Sequence, residues 1–258
     1  MANYHLEVTV ISRLKKRSIA RSINYISGVP TEDKYAGGIY NKKRTDVLSC
    51  KVFLPPGVPR EYDDLQFLCD EIDLAEVRYD ARTARELKGS LPNELPVHEQ
   101  VRIVSEFVTE NFVSRGLCAI AAIHEGRNEA DPSRNNPHAH IIVPTRTLGC
   151  DGFNRRKDRK SDRRYFVDLW RENWAAVQNR AYERNGLDVR VSHDSLEVQG
   201  VRHREPTIHL TAADWQKEKR GIRTSAGDRK RAIQECNEEK MRKRECSRER
   251  SIEVELSR

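Results

Sequence analysis

Short segments rich in β-branched residues alternate along the chain with longer segments in which apolar residues recur every three to four positions. The first kind is typical of strands and covers residues 5–11, 47–54, 84–90, 118–124 and 138–145. The second kind predicts helices over 19–27, 61–77 and 97–114, and a fourth that follows residue 164 and ends at Gly186. Ser18 is placed to cap the first helix, and Gly116 is placed to end the third.

Turn-forming residues separate the last two strands, which favours an antiparallel pair. These residues are Gly126, Asp131, Pro132, Asn135, Asn136 and Pro137. Strands interleaved with long helices around such a pair predict an α+β fold, with a central antiparallel sheet flanked by helices. After Trp215 the apolar periodicity fades and charges alternate in sign. We therefore predict a folded domain over 1–210 and a charged tail, helical or disordered, over 211–258.

Composition narrows the class of partner. Of the 258 residues 34% are charged, and the net charge of +7 indicates a polyanionic partner, either nucleic acid or an anionic membrane surface. No segment approaches the roughly 18 apolar residues that cross a bilayer, and the N-terminus lacks a secretion-signal pattern. We therefore expect no membrane insertion and a cytoplasmic location. The six cysteines form no C-x-x-C pair, which favours free thiols over a zinc ribbon.

Three histidines form a candidate metal site. His138 and His140 flank one residue in a predicted strand, so both imidazoles project from the same face and can chelate one ion. His124 ends the preceding strand, and it can supply a third nitrogen if the two strands are antiparallel. Three such ligands leave coordination positions open for a substrate oxygen, as a catalytic metal requires. The alternative interpretation is a set of ordinary histidines near a strand edge.

A tyrosine and a glutamate are candidates for chemistry. Tyr25 lies on the first predicted helix but off its apolar face, so it is either a functional tyrosine or a partly exposed structural one. Tyr35 and Tyr40 are its rivals. Glu86 is a carboxylate within a predicted strand, where a buried charge needs a partner. It is a candidate proton acceptor or member of the metal environment. Pairing with Arg82 or Arg85 is the alternative for Glu86.

A basic segment over 154–164 is a candidate nucleic-acid contact. Its candidate DNA-binding side chains are Arg155, Arg156, Lys157, Arg159 and Lys160. Arginine and lysine neutralise phosphates, and the aromatic residues at the ends of the segment, Phe153 and Tyr165, can stack on bases. This combination suits single-stranded or distorted DNA, and a solvated loop is the alternative. For Trp170 and Trp174, packing of the fourth helix is favoured over a platform for bases.

Several segments carry a family resemblance when they are taken together and in order. They are residues 2–6 (ANYHL), 18–25 (SIARSINY), 34–36 (KYA), 84–86 (ARE) with 91–95 (LPNEL), 136–140 (NPHAH) with His124 upstream, 170–174 (WRENW), 185–186 (NG) and 189–192 (VRVS). In these segments the chain resembles the MobA/MobL (MobQ-type) relaxases of conjugative and mobilisable plasmids, which belong to the HUH endonuclease superfamily. The resemblance runs from about residue 1 to 210. His124 lies farther from His138 than in many relatives, and only one tyrosine occupies the matching position.

The resemblance implies a fold, an activity and a set of roles. The fold is the palm-like sandwich of HUH relaxases. The activity is metal-dependent, site- and strand-specific DNA nicking and strand transfer at a plasmid origin of transfer, which initiates conjugation or mobilisation. Tyr25 would be the nucleophile and Glu86 an acidic residue near the active site, with His124, His138 and His140 as metal ligands. The products would be a 5′-phosphotyrosyl enzyme and a free 3′-hydroxyl.

The resemblance also implies a cofactor and partners. Mg²⁺ or Mn²⁺ is the expected working ion, while imidazole ligands would also accept Ni²⁺, Co²⁺ or Zn²⁺ in vitro. The expected DNA is a single-stranded nick region beside a hairpin, with relaxosome accessory proteins and a coupling protein as further partners. Full-length relatives often carry additional domains, so a chain truncated at Arg258 is also compatible with the pattern.

Two other functions fit the same residues. One is a non-catalytic DNA-binding or replication-initiator module with structural histidines. The other is a three-histidine metallohydrolase that acts on small molecules. A stable covalent DNA–protein adduct separates the relaxase from both.

Overall fold

Five antiparallel strands form a central sheet in the computed structural model, which describes residues 4–129, 131, 135–201, 204–208 and 210–256. Residues 2 and 3 of the resemblance, and Pro132 of the predicted turn, lie outside the described residues. In chain order the strands are β1 (Leu6–Ser12), β2 (Thr31–Glu32), β3 (Ile39–Tyr40), β4 (Val47–Phe53), β5 (Arg82–Ser90), β6 (Ala119–His124), β7 (His138–Pro144), β8 (Arg146–Gly149) and β9 (Gly152–Lys157).

The sheet has the strand order β1-β5-β7-β6-β4, and each neighbouring pair is antiparallel. The remaining strands form two small ladders, β2 with β3 and β8 with β9. The predicted α+β fold with a central antiparallel sheet is confirmed, and so is the predicted antiparallel pairing of β6 with β7.

The helices follow the predicted pattern with shorter bounds. They are α1 (Ile19–Ser27), α2 (Leu65–Ala75), α3 (Val97–Asn111), α4 (Arg164–Arg184), α5 (Ala212–Lys219) and α6 (Ser225–Leu256). As predicted, the Ser18 side chain caps α1, where it accepts a hydrogen bond from the backbone amide of Arg21.

Two helix ends differ from the prediction. The helix predicted over 61–77 begins at Leu65, because residues Arg60–Asp63 form a separate 3₁₀ turn and the Asp64 side chain caps α2. The helix predicted over 97–114 ends at Asn111, and a further 3₁₀ turn continues to Gly116, which adopts a positive φ of 77°.

Each face of the sheet packs against its own pair of helices. On one face, α1 and α2 bury a core that includes Ile23, Leu68 and Ile142. On the other face, α3 and α4 bury a core that includes Phe107 and Trp174. Alternate residues of β7 enter opposite cores, as the period of a strand requires. His138 and His140 share the parity of Ile142, so they project toward the face that carries α1.

Trp170 and Trp174 are buried in the α3–α4 core, as the packing interpretation predicts. The indole nitrogen of Trp174 donates a hydrogen bond to the carbonyl of Ser90 at 3.2 Å. Gly89 lets this ring approach the sheet, because a Cβ at that position would lie 2.6 Å from the indole. The α4 helix is therefore fixed to the end of β5.

The basic segment over 154–164 is more ordered than a solvated loop. Its first part belongs to β9, a 3₁₀ turn covers Lys160–Asp162, and α4 begins at Arg164. The hairpin forms because Gly152 takes a positive φ of 98° at the β8–β9 turn.

The chain divides into two compact units, Met1–His193 and Asp194–Arg258. The predicted domain boundary after residue 210 stays a prediction. The second unit contains α5 and the long α6, so the helical alternative holds for the charged tail in its described residues. There, Arg231 bridges Glu218 and Asp228. Among the described residues, no helix is long and apolar enough to cross a membrane.

Candidate active site

Three imidazoles converge where β6 ends and β7 begins. The register pairs His124 with His138 and Ala122 with His140. The ring centroid of His124 lies 5.3 Å from that of His138 and 4.7 Å from that of His140. The ring centroids of His138 and His140 are 5.1 Å apart. One candidate ligand nitrogen from each ring lies within 4.8 Å of the others. The hairpin therefore brings together the three histidines that the sequence singles out.

The other nitrogen of each ring is held by an acceptor. Nε2 of His124 donates to the carbonyl of Ile26 at 2.8 Å, and Nδ1 of His138 donates to the carbonyl of Asn136 at 2.8 Å. Nδ1 of His140 donates to Oε1 of Glu86 at 3.3 Å. A histidine that ligates a metal characteristically donates its second nitrogen to a carbonyl or carboxylate in this way, which fixes the tautomer and the ring orientation.

The nitrogens left over fit a cation. Nδ1 of His124 and Nε2 of His140 are buried and have no hydrogen-bond partner within the described part of the chain. A buried polar atom without a partner is unfavourable, and a metal ion would supply one partner for all three rings. A donor set of three imidazoles suits a divalent transition metal, and it also leaves positions open for oxygen ligands.

Burial keeps two of these rings uncharged. Desolvation lowers the pKa of His124 and of His138 to about 4. Both imidazoles are therefore neutral at pH 7, which is the form that binds a metal.

The connection between β6 and β7 is closed at its base. The amide of Asn136 donates to the carbonyl of Gly126 at 2.9 Å. Gly126 has a positive φ of 58°, and a Cβ there would collide with the Asn136 backbone. This closure keeps His138 opposite His124 although thirteen residues separate them in the sequence.

Tyr25 lies beside the imidazoles. Its ring is 40% exposed, and its centroid lies 5.6 Å from that of His140 and 6.1 Å from that of His124, both edge-on. The guanidinium carbon of Arg44 lies 4.6 Å from the centre of the Tyr25 ring. Because the next residue of α1, Ile26, accepts the hydrogen bond from His124, the helix that carries Tyr25 is attached directly to the histidine cluster.

The rival tyrosines have other surroundings. The Tyr35 ring stacks on the guanidinium of Arg13 at 3.5 Å, and Tyr40 packs against the α1–α2 core. In the described part of the chain, neither ring is among the aromatic contacts of the histidine cluster.

Glu86 contacts His140, which belongs to the candidate metal site, and Arg17, which the sequence did not indicate. One carboxylate oxygen accepts from His140 and the other forms an ion pair with Arg17. The suggested pairing with Arg82 or Arg85 is wrong, because β5 directs Arg85 to Asp162. Burial raises the pKa of Glu86, but the hydrogen bonds from His140 and Arg17 outweigh it and bring that pKa below its ordinary value.

Arg44 and Arg17 are site residues that sequence reasoning missed. The guanidinium of Arg44 is held by both carboxylate oxygens of Asp46, at 2.8 and 2.5 Å. That ion pair raises the pKa of Arg44 and lowers the pKa of Asp46 to about 2. The segment preceding β4 carries no periodic signal, and nothing in its local pattern indicates which charged side chain meets Tyr25.

The predicted DNA-binding side chains lie in an open groove of about 880 Å³ at the other end of the sheet. The groove is lined by Arg78, Arg115, Arg146, Thr147, Arg155, Arg156, Lys157, Asp158, Arg159 and Lys160. His138 and Pro144 mark the two ends of β7, which are about 20 Å apart at about 3.3 Å per residue. The structure therefore separates the basic segment from the histidines.

Lys157 is only half-buried, but its charge is already engaged. Its ammonium group lies 2.6 Å from a carboxylate oxygen of Glu76, which is 4% exposed, and 2.7 Å from the carbonyl of Arg82. Arg155, Arg156, Arg159 and Lys160 are exposed. The four exposed cations are therefore better placed than Lys157 to meet a phosphate.

Comparisons with a family profile and with individual proteins indicate the same family. A sequence profile of the MobA/MobL family matches residues 17–220. The chain is similar to the probable mobilization protein MobA of Bifidobacterium longum (strain NCC 2705), with 29% identity in an alignment of 252 positions that covers 81% of this chain and 43% of the relative. It is also similar to mobilization protein A of Escherichia coli, with 32% identity in an alignment of 248 positions that covers 88% of this chain and 32% of the relative.

One solved structure supports the fold. It comes from work on the molecular basis of vancomycin resistance transfer in Staphylococcus aureus. That structure shares 25% sequence identity with this chain and superposes with a TM-score of 0.68, covering 75% of this chain and all of the other.

The chain spans less than half the length of the two mobilization proteins described above.

Proposed function

Because the chain belongs to the MobA/MobL family, we propose that it is a DNA relaxase that cuts one strand at a plasmid origin of transfer and holds the cut end on Tyr25. The observation that carries the proposal is the exposed Tyr25 ring set edge-on against two of three converging histidines. The mobilization proteins to which the chain is similar support the same reading.

The reaction transfers one phosphodiester. Oη of Tyr25 attacks the scissile phosphorus, the bond from phosphorus to the 3′-oxygen breaks, and a 5′-phosphotyrosine and a 3′-hydroxyl result. The phenol loses its proton to solvent and the departing 3′-oxygen gains one, so protons balance. One phosphodiester replaces another, so the reverse attack by a 3′-hydroxyl reseals the strand without a nucleotide cofactor.

Arg44 assists the attacking group. A phenol is a weak nucleophile until its charge develops, since its ordinary pKa is about 10. The guanidinium of Arg44 lies over the ring of Tyr25 and is fixed there by Asp46. A cation that is already in position when the phenolate forms stabilises it without further reorganisation.

His124, His138 and His140 would hold the metal, with Mg²⁺ or Mn²⁺ as the working ion and Ni²⁺, Co²⁺ or Zn²⁺ as tighter substitutes in vitro. When bound, the ion would neutralise charge on the non-bridging phosphate oxygens. The chain's own part is to hold three ring nitrogens in one place.

Glu86 acts by orientation. Its two oxygens are engaged by Arg17 and His140, and its pKa is below the ordinary value, so it is a poor acceptor for the phenol proton. Its contact with Nδ1 of His140 instead directs Nε2 toward the other two rings. We therefore assign Glu86 to positioning His140 rather than to general-base catalysis.

The DNA substrate is a single-stranded nick region beside a hairpin, and the exposed arginines of the basic groove would contact its phosphates. The full protein would act with relaxosome accessory proteins and a coupling protein in the bacterial cytoplasm. These partners follow from the family and belong to the proposal.

A nicking assay tests the function. Supercoiled plasmids that bear candidate transfer origins are incubated with protein and Mn²⁺, and the nick and the protein–DNA adduct are mapped. Tyr25→Phe keeps the ring and its packing but removes the attacking oxygen, so we expect no adduct and nearly unchanged DNA binding. The matched control is Tyr35→Phe, which should form the adduct normally.

Three outcomes would contradict the proposal. An adduct that persists in Tyr25→Phe and maps to Tyr35 or Tyr40 would move the nucleophile. DNA binding without an adduct at any origin would favour the non-catalytic DNA-binding or replication-initiator module, and hydrolysis of small substrates without DNA binding would favour the metallohydrolase.

A further inference from the structure

A second cleft adjoins Tyr25. It has a volume of about 200 Å³ and forms where β1 leads into α1. It is lined by Lys16, Arg17, Ser18, Arg21, Ser22, Tyr25 and Glu86. Tyr25 and Glu86 both also contact His140, so they form the wall between this cleft and the histidine cluster.

The cleft has an excess of positive charge. Of its three cationic side chains, Arg17 alone has a carboxylate partner within the described residues, which is Glu86. Lys16 and Arg21 are exposed, and among the described residues neither forms an ion pair. One carboxylate against three cations leaves two positive charges uncompensated beside the tyrosine.

The geometry of α1 places the charge of Arg21 on the same face of the helix as Tyr25. Arg21 and Tyr25 are four residues apart, so they lie on the same face of the helix and about 6 Å apart along its axis. The opposite face of α1 carries the buried Ile19, Ile23 and Ile26. A strand that reaches Tyr25 from the histidine side can therefore continue directly past Arg21.

We propose that this cleft binds a backbone phosphate next to the scissile phosphate, with Lys16 and Arg21 as its contacts. The inference rests on the proposed function, because Tyr25 marks the position of the scissile phosphate. Exposed, unpaired cations beside a nucleophile suit a polyanion that passes through the site, and phosphate contacts of this kind position a strand without reading its sequence.

Arg17 has a different part in the cleft. Its guanidinium is already held by Glu86 and by the hydroxyl of Thr9, at 3.2 Å in the second case. Substitution of Arg17 would disturb the support of His140 together with the cleft, so Arg21 is the informative position.

The test uses the full chain with Tyr25→Phe, so that binding is measured without covalent capture. Binding of a fluorescent oligothymidylate is followed across salt concentrations, with and without Arg21→Gln. We expect the slope of log K against log salt to become shallower by about 0.7, the value for one phosphate contact on a single strand. The control is Arg102→Gln, which removes the same charge from α3 on the other face of the sheet and should leave the slope unchanged.

A second arm locates the contact. Once the nick is mapped, oligonucleotides carry an uncharged methylphosphonate at the linkage on one side of the scissile phosphate or on the other. A methylphosphonate at one of the two linkages should weaken binding to the protein that retains Arg21. Arg21→Gln should not weaken the binding of that modified oligonucleotide any further. This non-additivity would assign the phosphate and the side of the nick.

The outcomes separate the two proposals. Equal salt slopes for Arg21→Gln and Arg102→Gln, or fully additive effects at both linkages, would overturn the cleft while leaving nicking intact. If no adduct forms at any origin but Arg21→Gln still flattens the slope, the phosphate site stands and the proposed nicking function fails.

Discussion

The two ends of the central sheet use polar side chains in opposite ways. At the histidine end, burial keeps two of the three imidazoles uncharged, each ring is oriented by one acceptor, and one candidate ligand nitrogen from each ring lies within 4.8 Å of the others. At the other end, the groove is lined by many cations. In the described part of the chain, buried Glu76 holds Arg146 and Lys157, while Asp158 holds Arg115 and Asp80 holds Arg78. The histidine end therefore depends on the precise orientation of a few side chains, whereas the groove depends on its positive charge.

This difference predicts how each end responds to change. Coordination by a ring nitrogen is directional, and the candidate metal site has three such ligands. The loss of one ring therefore removes one of three ligands. Contacts to phosphate through exposed arginines are numerous and depend mainly on charge, so the loss of one is shared among the others. Substitutions should therefore have large effects at the histidine end and graded effects in the groove.

The largest effect is expected from His140→Ala. It removes one ligand nitrogen and also leaves Glu86 with only Arg17 as a partner. We expect Mn²⁺ affinity to fall by more than about 100-fold, since loss of a mere supporting partner already costs roughly 10–100-fold. Calorimetric titration with Mn²⁺ measures this, and adduct formation should fall with it. The control is His98→Ala, an exposed histidine on α3. Full activity in excess chelator would contradict the metal assignment.

The same titration has a characteristic pH dependence. Because the pKa values of His124 and His138 are lowered to about 4, protons should compete weakly with the metal at these two rings down to about pH 5. The stability of the metal-free protein also falls as pH decreases. The unfolded chain protonates these imidazoles near pH 6.5, so the free energy of unfolding should fall as pH decreases from about 6.5 toward 4. A steep loss of metal affinity between pH 7 and pH 6 would contradict this interpretation of the site.

The sequence predicted the histidine end better than the groove. The spacing of His138 and His140 determines a shared face, and the turn residues before them favour the hairpin that brings in His124. The cap at Ser18 and the apolar stripe of α1 similarly fixed the exposed side on which Tyr25 lies. These features depend on short-range periodicity, which a sequence displays directly.

What the sequence could not predict depends on long-range contacts. The arginine that pairs with Glu86 is Arg17, 69 residues away, and no local pattern distinguishes it from the neighbouring Arg82 and Arg85. The ion pair of Lys157 with Glu76 was not predictable for the same reason, because burial of Glu76 beside it becomes visible only in the folded chain. Charge density identifies a basic segment, but which of its cations remain free is decided by tertiary packing.

An intermediate effect is expected from Glu86→Gln. The amide keeps the size of the side chain and can still accept from Nδ1 of His140, but it loses the charge that holds Arg17. We expect metal affinity and nicking rate to fall together by roughly 10–100-fold. A positioning role predicts this parallel loss, measured by titration with Mn²⁺ and by single-turnover adduct formation. If the rate falls while metal affinity is unchanged, Glu86 is a proton acceptor and the assignment to orientation is wrong.

The smallest effect is expected in the groove, from Arg155→Gln combined with Arg156→Gln. Both side chains are exposed, whereas Lys157 is excluded from the test because its loss would leave buried Glu76 with one partner fewer. Binding to origin and scrambled DNA should weaken alike, and the salt slope should become shallower by up to about 0.9 for each lost duplex contact or about 0.7 for a single strand. Competition binding across salt concentrations measures both quantities. The control is Arg102→Gln with Arg180→Gln, which removes the same charge from α3 and α4. Loss of origin preference with an unchanged slope would mean that this segment reads bases, and the contrast between a positioning end and a charge-supplying end would no longer hold.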